Sequence, residues 1–402
     1  MTIGVCGPID LKLLDWDLGY TALPETNSFP LTSHFINALL KRGYKVIGYT
    51  NSCHIDTPQV LESGNLKICI SRAKPQPGRR FFSFEVEDLR KQIEAHPADF
   101  ISAFWSYEFG WAALKTGIPT VVSLHDVASK ILQNQPDMFR IVRWLMNQIV
   151  VSKAKYLIAN SYYTYSILNK EERSKTLIIN NFYTETIEQI SQMVPGKGDY
   201  IVSVVQGFTK RKNIHKALYA FAKIREQFPD LSYHLVGVDM EEGGPAQKYA
   251  KKYKLDAGII FIGPLPYTEV VKQIAGAKVL LHPSVEESFG MAILEAMVSG
   301  TAVVGGRKSG FVPYLLNHGN AGILCDITSS DDIALAVIKL LEDDSYRNKL
   351  SNTAKVYAQA HFSEEVVIKR HLDYYSKILG RELEPAEQIK KLTIHAEHNP
   401  LP

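Results

Sequence analysis

Cysteine is scarce in this chain of 402 residues, which contains four cysteines and no Cys-x-x-Cys pair. A disulfide framework or a structural zinc site would need more cysteines or closer spacing, so the sequence argues against both. Long apolar runs are also lacking, since none approaches the roughly 18 residues that a membrane span needs. The chain starts without a basic stretch and soon meets Asp10 and Asp15, unlike a secretory signal. These absences predict a cytoplasmic protein, and they leave open peripheral attachment to the inner face of a membrane.

The chain also lacks a large excess of positive or of negative charge. Lys and Arg number 45 and Asp and Glu number 42, which gives a formal net charge of +3 without long blocks of one sign. The sequence therefore favours no nucleic-acid partner, and an anionic ligand must be bound by local groups. With 46% hydrophobic and 22% charged residues, the composition is that of an ordinary globular protein, and the length predicts two or three domains.

Short runs rich in β-branched residues alternate with segments of helical period along most of the chain. This pattern is typical of parallel sheets covered by helices, and it predicts an α/β fold with two doubly wound, Rossmann-like domains. The rhythm is lost after Asn180, and a turn-rich segment follows at 195–199. We predict an N-terminal domain over 1–190, a linker over 191–199, a second domain over 200–370, and a C-terminal helix and tail over 371–402 that can pack back on the first domain.

The expected strands are short and regularly spaced. In the first half they lie near residues 3–6, 45–49, 66–70, 100–104, 120–124, 156–159 and 176–179. In the second half they lie near residues 200–205, 232–236, 258–262, 278–281, 302–304 and 322–324, and three helices are expected over 331–342, 345–361 and 364–379. Ligands should bind in a cleft where the carboxyl ends of both sheets face each other.

The most informative segment is His-Pro-Ser-Val-Glu-Glu-Ser-Phe-Gly-Met, over 282–291, which is followed by an apolar stretch ending at Gly300. It predicts a strand end, a tight loop and the start of a helix. Backbone N–H groups near Ser288, at Phe289, Gly290 and Met291, would line the positive end of that helix. Such a place suits a diphosphate or the oxygens of a polarised sugar.

Two glutamates flank the start of this helix. Glu287 precedes the helix, whereas Glu295 is expected on its sheet-facing side, where an unpaired carboxylate would be costly to bury. Carboxylates accept hydrogen bonds from vicinal hydroxyls, so one could hold a ribose diol and the other a sugar ring. On the spacing alone, a solvated acidic loop and a glutamate paired within its own helix are the commoner explanation.

A second signal, Gln-Gly-Phe-Thr-Lys-Arg-Lys-Asn over 206–213, directly follows the first strand of the second domain. Its adjacent cations, which include Arg211 and Lys212, suit phosphate binding at a strand-to-helix turn, and Gly207 lets the backbone approach a ligand closely. A solvated basic turn is the plainer explanation. The turn is nevertheless expected at the same sheet edge as Glu287.

Two further turns at strand ends are candidates. His125 follows the strand over 120–124, where it could donate to a sugar hydroxyl, a phosphate or a leaving oxygen. The ordinary histidine pKa of about 6.5 permits either charge state, and a histidine that caps its own loop is an equal alternative. The glycine-rich run over 305–313 lets the backbone reach a ligand, although ordinary turn chemistry also explains it.

Together these segments resemble glycosyltransferase family 4, retaining sugar-nucleotide transferases of the GT-B fold that are also called glycosyl transferases group 1. The helix and strand at residues 290–304 are the most specific part of the resemblance. It is carried by Gly117-Ile118-Pro119 before His125-Asp126, Ile158-Ala159-Asn160-Ser161, Lys212-Asn213-Ile214, His282-Pro283-Ser284 through Glu295-Ala296-Met297, and Gly300-Thr301-Ala302-Val303-Val304.

By this resemblance, Glu295 would bind the ribose hydroxyls of a donor, and Glu287 would hold the donor sugar near its anomeric carbon. Lys212, helped by Arg211, would neutralise the diphosphate, and His125 would reach the donor from the first domain. Family members generally need no metal, so the resemblance implies neither a metal nor a cofactor. The helix N-terminus and the cations would supply the charge stabilisation instead.

The implied chemistry is sugar transfer from a UDP-, GDP- or ADP-sugar to a hydroxyl of a saccharide or lipid-linked acceptor, in polysaccharide, glycolipid or other glycoconjugate synthesis. Attack from the face of the leaving group would retain the anomeric configuration, and a donor phosphate oxygen would take the acceptor proton. The sequence departs from the family twice. Phe208 follows Gly207 where many members have arginine, and residues 24–30 lack the Gly-Gly pair of many first loops.

Two alternatives stay open. A helix over 138–151 carries Phe139 and Trp144 beside Arg140 and Arg143, so it could lie on an anionic membrane and reach a lipid-linked acceptor. A core helix with two exposed arginines is the plainer interpretation. The second alternative is a regulator of the same fold that binds a sugar nucleotide without turnover. An oxidoreductase is less favoured, because neither domain opens with a G-x-G-x-x-G turn.

Overall fold

The strands form two sheets in the computed structural model, which describes residues 1–16 and 23–385. The strands are β1 (Thr2–Cys6), β2 (Lys45–Ser52), β3 (Gln59–Ser63), β4 (Leu66–Arg72), β5 (Phe100–Phe104), β6 (Thr120–Leu124), β7 (Tyr156–Ala159), β8 (Thr176–Ile178), β9 (Tyr200–Val204), β10 (Ser232–Val236), β11 (Ile259–Gly263), β12 (Val279–His282), β13 (Ala302–Gly306) and β14 (Ile323–Cys325). Every predicted strand is present, with small shifts at the ends.

Within the described residues, helices connect most of the strands, whereas β2 is joined to β3 and β3 to β4 without a helix. They are α1 (Pro30–Lys41), α2 (Ser83–Ala95), α3 (Glu108–Lys115), α4 (Ala128–Asn134), α5 (Met138–Lys153), α6 (Tyr162–Ile167), α7 (Lys170–Ser174), α8 (Glu185–Gln192), α9 (Ile214–Gln227), α10 (Pro245–Lys252), α11 (Tyr267–Gly276), α12 (Met291–Val298), α13 (Val312–Leu315), α14 (Ser330–Glu342), α15 (Asp344–Phe362) and α16 (Glu364–Leu379), with 3₁₀ turns at Leu11–Leu13, Pro77–Arg80 and Asn317–Gly319. The three helices predicted beyond residue 330 correspond to α14, α15 and α16.

The chain divides into two compact units, and the division differs from the predicted linker over 191–199. The first unit is formed by the chain up to Asn180 together with the chain from Val367, and the second unit by Asn181–Val366. Helix α8 therefore belongs to the second unit. Its Ile187 and Ile190 are buried, and the Ser191 hydroxyl donates to Ser299 Oγ at 2.9 Å.

The first unit is built on an eight-stranded sheet with the order β3-β4-β2-β1-β5-β6-β7-β8. Its strands pair in parallel except for β3, which runs antiparallel to β4 at the edge. Strand β3 was not predicted, because a half-exposed edge strand with the sequence Gln-Val-Leu-Glu-Ser lacks the apolar run of a buried one. The strand order reverses between β1 and β5, and ligands of open α/β sheets bind at the carboxyl ends of such strands.

Helix α16 packs within the first unit. The Tyr375 and Ser102 hydroxyls are hydrogen-bonded at 2.7 Å, and the Tyr375 ring lies 4.7 Å from the Phe100 ring. The His371 ring lies 4.9 Å from the Phe35 ring. These contacts bury the last described helix against the sheet of this unit.

Helix α5 differs from the sequence-based expectation of two exposed arginines, which is wrong. Arg140 and Arg143 are both half-buried, and the Arg143 guanidinium carbon lies 3.6 Å from the centroid of the Tyr107 ring. Met138 is 74% exposed, whereas Val150 on the inner side is fully buried. Among the described residues, no helix combines the length and the apolar character that crossing a membrane requires.

The second unit is built on a parallel sheet with the order β11-β10-β9-β12-β13-β14. This is the doubly wound order of dinucleotide-binding domains, as predicted, and its reversal lies between β9 and β12. The loops that follow these two strands carry the basic and the acidic motifs of the sequence analysis. The topology therefore places both motifs at the carboxyl edge of one sheet.

Candidate active site

Three loops of the second unit meet at this carboxyl edge: those that follow β9, β12 and β13. The Val285 N–H donates to the Arg211 carbonyl at 2.9 Å and so joins the acidic loop to the basic one. The Phe311 N–H donates to the Glu287 carbonyl at 3.0 Å and joins the glycine-rich loop to the acidic one. The predicted clustering of these motifs is present in the structure.

Asn213 holds the loops in place. It precedes α9 with a left-handed backbone (φ 57°) and is 3% exposed. Its side-chain amide donates to the carbonyls of Pro283 at 3.0 Å and of Ile327 at 2.7 Å. A residue that the sequence showed only as the end of the basic motif therefore ties three segments together.

The turn at Gly207 is held by hydrogen bonds to the loop that contains Asp239. Gly207 has a φ of 89°, in the left-handed region that favours glycine, and its N–H donates to the Val238 carbonyl at 3.1 Å. The N–H of Phe208 donates to Asp239 Oδ2 at 3.0 Å. Phe208, which stands where many family members have arginine, thus directs its amide to a carboxylate of the protein itself.

Lys212 and Glu287 form a nearly buried ion pair. Lys212 Nζ lies 2.5 Å from Glu287 Oε1, and the two side chains are 11% and 12% exposed. His282 Nε2 lies 3.3 Å from the same oxygen. Burial alone would raise the pKa of Glu287, but Lys212 and His282 hold the pKa well below its usual range. The glutamate is therefore ionised at neutral pH and carries a fixed negative charge at this edge.

Arg211 is paired with the neighbouring glutamate. Its Nη1 lies 3.3 Å from Oε2 of Glu286, a buried residue that the sequence analysis did not single out. Burial raises the pKa of Glu286, although Arg211 opposes the shift. The adjacent glutamates Glu286 and Glu287 thus have different partners, and each holds one of the two cations that the sequence predicted for phosphate.

Helix α12 begins where the sequence predicted a backbone anion site. Gly290 precedes it with a φ of 101°, and the first N–H groups of a helix have no partner within the helix. The Phe289 ring is buried and stacks on the Phe311 ring at 5.3 Å, which fixes the loop, while Ser288 and Met291 are half-buried. The positive end of the helix therefore lies next to the loop that carries Glu287.

Glu295 is buried one turn inside α12, with 7% of the residue exposed. Burial raises the pKa of its carboxyl to about 7, and a hydrogen bond from Tyr267 opposes the shift. Tyr267 is the first residue of α11, and no sequence pattern marked it as a partner. A buried carboxylate needs a hydrogen-bonding partner, and for Glu295 this partner is a tyrosine hydroxyl from a different helix.

By the family resemblance Glu295 would bind the donor ribose, so replacing Tyr267 with phenylalanine should weaken the binding of a nucleoside diphosphate about tenfold, because the hydroxyl that orients Glu295 is lost. Tyr267 acts through Glu295 as a positioning residue, so KM for the donor should rise while kcat changes little. The pKa of Glu295 should also rise further, which can be measured by NMR titration of the side-chain carboxyl. An unchanged donor KM together with an unchanged titration would contradict this role.

His125 belongs to the first unit and follows β6, as predicted. Its ring stacks in parallel on the Phe104 ring at 5.0 Å and meets the Phe29 ring edge-on at 5.4 Å. The Asn160 amide donates to its carbonyl at 3.3 Å. Phe29 lies in the unusual stretch over 24–30, so this stretch helps to position the histidine. A role of His125 toward the donor stays a prediction.

Within residues 1–16 and 23–385, no group of three or more His, Cys, Asp or Glu side chains is arranged to hold a metal ion. Within the candidate site, Glu286 and Glu287 face cations of the protein.

Two family models match adjoining parts of the chain. The model described as Glycosyltransferase Family 4 matches residues 31–183, and the model described as Glycosyl transferases group 1 matches residues 186–357. The second match contains the three loops of the candidate site.

Curated relatives point to the same family. The chain is 26% identical over 270 residues to N-acetyl-alpha-D-glucosaminyl L-malate synthase of Bacillus anthracis, an alignment that covers 65% of this chain and 68% of that protein. It is 28% identical over 184 residues to D-inositol 3-phosphate glycosyltransferase of Corynebacterium urealyticum, covering 44% of this chain and 43% of the relative. The chain thus aligns with about two thirds of the first relative and less than half of the second.

Solved structures share the fold. Sucrose-phosphate synthase from Thermosynechococcus elongatus superposes with a TM-score of 0.76 at 18% identity, covering 94% of this chain and 99% of that one. HepE of Anabaena in complex with UDP-glucose superposes with a TM-score of 0.68 at 17% identity, covering 94% and 100%. Since the two family models together run almost without interruption from residue 31 to residue 357, the chain belongs to glycosyltransferase family 4, the glycosyl transferases group 1, and has the α/β GT-B fold.

Proposed function

We propose that the protein transfers a sugar from a nucleoside-diphosphate donor to an acceptor hydroxyl, with retention at the anomeric carbon and without a metal ion. The observation that carries this proposal is the nearly buried pair of Lys212 and Glu287 beside the N-terminus of α12. It combines a cation and free backbone N–H groups for a diphosphate with an ionised carboxylate for a sugar.

In this proposal the donor diphosphate lies at the N-terminus of α12 and is neutralised by Lys212. Backbone N–H groups of Gly290 and Met291 would donate to its oxygens, and Gly207 would let the basic turn approach it. Arg211 would contribute positive charge while Glu286 holds its guanidinium in place. These groups are positioned before the donor binds, so they stabilise the charge that develops on the leaving group with little reorganisation.

The carboxylate of Glu295 would accept hydrogen bonds from the two ribose hydroxyls. The Tyr267 hydroxyl orients it from the side of α11. Ribose hydroxyls would supply two more donors to a buried group that protein contacts alone leave with a pKa raised to about 7. Donor binding and ionisation of Glu295 should therefore favour each other.

The reaction breaks the bond between the anomeric carbon and the diphosphate oxygen, and it forms a bond between that carbon and the acceptor oxygen on the same face. A donor phosphate oxygen takes the acceptor proton, which leaves a nucleoside diphosphate and a glycoside as products. Glu287 would bind the donor sugar and stabilise positive charge near the anomeric carbon without attacking it. His125 would donate to the donor sugar or its diphosphate.

The donor would be a UDP-, GDP- or ADP-sugar, and the acceptor a saccharide or lipid-linked hydroxyl. The neighbour solved with UDP-glucose supports a uridine donor. A lipid-linked acceptor would bring the protein to the inner face of a membrane, an alternative that the exposed Met138, Phe139 and Leu145 of α5 support.

The test is to screen UDP-, GDP- and ADP-sugars by thermal shift and then to assay the stabilising donor for product, with and without EDTA. We expect one donor class to raise Tm by mass action. We also expect release of its nucleoside diphosphate, a product that keeps the anomeric configuration of the donor, and no effect of EDTA. Nucleotide binding without turnover of any donor would favour the regulator instead. Inversion of configuration or loss of activity in EDTA would overturn the corresponding part of the proposal.

A further inference from the structure

A cavity of about 510 Å³ lies in the second unit beside β14, the edge strand of its sheet. It is lined by Arg307, His318, Leu324, Lys339 and Tyr346, together with neighbouring residues. These residues come from the loop after β13, the 3₁₀ turn over 317–319, β14, α14 and α15. None of the residues assigned to the donor lines this cavity.

Positive charge dominates the lining of this cavity. Arg307 and Lys339 lie on it, and none of the described residues that line it is an aspartate or a glutamate. The Arg307 guanidinium donates to the Leu324 carbonyl at 3.0 Å. Lys339 Nζ lies 4.9 Å from the centroid of the Tyr346 ring. Within residues 1–16 and 23–385, neither cation is in an ion pair, so both charges are available to an anion that enters the cavity.

The acids near these cations are used elsewhere or face solvent. Asp343 accepts from the backbone N–H of Tyr346 at 2.8 Å and so caps α15, whereas Asp344 forms an ion pair of its own at 2.7 Å. Arg307 acts electrostatically on Asp326, which is exposed. Salt and water screen an exposed charge of this kind. The cavity therefore keeps a positive potential that favours an anion.

The turn over 317–319 forms one wall of the cavity and has a strained backbone. Asn317, His318 and Gly319 have φ values of 46°, 52° and 100°, so three successive residues are in the left-handed region. Glycine adopts this conformation readily, whereas it is costly for the other two. Strain of this kind clusters at ligand-binding sites, and here it lies at residues that line the cavity.

The volume admits a ligand larger than a lone phosphate ion. Water occupies about 30 Å³ per molecule, so the cavity holds about 17 waters' worth of material. It is within the roughly 300–1,000 Å³ that is usual for pockets of small organic ligands. Pro313, Ile323 and the Tyr346 ring add apolar surface to the charged groups of the lining. This mixture suits a small organic molecule that carries a charged group at one end.

A row of aromatic rings joins the cavity to the loop that carries Glu287. The His318 ring meets the Tyr314 ring edge-on at 5.0 Å, and the Tyr314 ring stacks on the Phe311 ring at 5.8 Å. The Phe311 ring in turn stacks on the Phe289 ring at 5.3 Å. The Phe311 N–H also donates to the Glu287 carbonyl at 3.0 Å. A ligand that fixes the turn at His318 therefore also fixes, through packed rings, the loop of the candidate active site.

We infer that this cavity binds a small phosphate monoester, and that the bound ester strengthens donor binding. Such an ester carries a charge of about −1.5 to −2 at neutral pH and three acceptor oxygens, which matches two cations without acid partners. The Arg307 guanidinium donates to the phosphate oxygens, Lys339 adds the second charge, and the Tyr346 ring covers the organic part. The effect on the donor rests on the proposed function, whereas binding of the ester can be measured without a donor.

The experiment compares each of two esters with its parent alcohol: glycerol 3-phosphate with glycerol, and ribose 5-phosphate with ribose. Calorimetric titration of the full chain without donor gives the affinities. The titration is repeated with Lys212→Met, because the basic turn is a second place where a phosphate could bind. We expect the esters to bind both proteins equally and at least tenfold more tightly than the alcohols. Equal binding of ester and alcohol, or loss of ester binding in Lys212→Met, would overturn the inference.

Variants assign the binding to this cavity. Arg307→Gln and Lys339→Gln should each weaken ester binding at least tenfold, because each removes a cation from the lining. Both side chains are exposed, so Tm should stay near that of the native protein. The matched control is Lys308→Gln, which removes an exposed cation of the same loop that does not line the cavity. It should leave ester affinity within about threefold, and an equal loss in all three variants would overturn the assignment.

The effect on the donor is tested by steady-state kinetics with and without saturating ester. KM for the donor should fall at least threefold when the ester is bound. Tyr314→Leu interrupts the row of rings, so it should keep ester affinity within about threefold and lose this effect on KM. An unchanged KM in the native protein would overturn the inferred link to the donor. Failure of the proposed function looks different, because the esters would then bind with the expected variant effects while no sugar nucleotide is used.

Discussion

Replacing Glu287 with glutamine should lower kcat/KM about a hundredfold or more, the effect of removing one positioned electrostatic group from an active site. The loss should be mainly in kcat, because the carboxylate acts most strongly on the charge that develops at the anomeric carbon. It should also lower the free energy of unfolding by about 3 kcal/mol, since Lys212 would be left nearly buried without its partner. Steady-state kinetics and urea unfolding measure the two effects.

The double variant Lys212→Met with Glu287→Gln separates stability from catalysis. The second substitution removes the unpaired buried charge that destabilises Glu287→Gln, so the free energy of unfolding of the double variant should return toward that of the native protein. Activity should stay low, because neither the diphosphate cation nor the carboxylate is present. Recovery of activity together with stability would show that the pair is structural only.

The control for this cycle is Asp88→Asn in the first unit, which also breaks an ion pair with a buried carboxylate. It should lower stability without changing kcat when both proteins are assayed well below their Tm. A fall in kcat in the control as large as that of Glu287→Gln would mean that loss of a buried charge anywhere disturbs the fold, and the catalytic assignment would fail.

Replacing Glu295 with glutamine should have opposite effects on stability and on donor binding. In the folded protein burial raises the pKa of Glu295 to about 7, so ionising it costs the native state free energy. Protonated Glu295 therefore contributes to the free energy of unfolding. This contribution is complete below the pKa of an unfolded glutamate, about 4.3, and is lost as pH rises through about 7. The variant should equal the native protein in stability near pH 4.5 and exceed it by about 3 kcal/mol at pH 8.

Donor affinity should fall about 10- to 100-fold in the same variant at pH 8, because charge-assisted hydrogen bonds to two ribose hydroxyls are replaced by weaker ones. Urea unfolding from pH 4.5 to pH 8 and calorimetric titration with the donor nucleotide measure the two effects. Other titrating groups cancel in the difference between the two proteins. A difference in stability that does not change with pH would contradict the raised pKa, and unchanged affinity would contradict ribose binding.

The sequence predicted the elements of the fold well, because buried parallel strands leave a local signature. Runs such as Thr120–Leu124 are apolar throughout and stand between helical segments, so they can be recognised without tertiary information. Edge strand β3 could not be recognised in this way, because one side of it faces solvent and its sequence is therefore not apolar throughout. The sequence marked a loss of rhythm after Asn180 but did not show that α8 belongs to the second unit, since α8 joins that unit through contacts with residues far along the chain.

The candidate site was predictable where its residues are neighbours in sequence. Glu287 and Gly290 were singled out because a strand end, a loop and a helix start put their chemistry in one motif, and Lys212 because it lies among adjacent cations in a second motif. Tyr267 and Asn213 were missed as partners because hydrogen bonds between separate elements leave no spacing to read. Their roles depend on which strands are adjacent in the sheet.

By its residue pattern alone, the chain determined two Rossmann-like sheets, the helix start at Gly290 and the glutamates at its two sides, because period, capping and local charge act over a few residues. Tertiary structure alone decided that Glu286 holds Arg211, that Glu287 holds Lys212, and that Glu295 is paired with a tyrosine. Pairing and burial arise from residues that only the folded chain brings within contact distance, so the pKa values that follow from them belong to the fold.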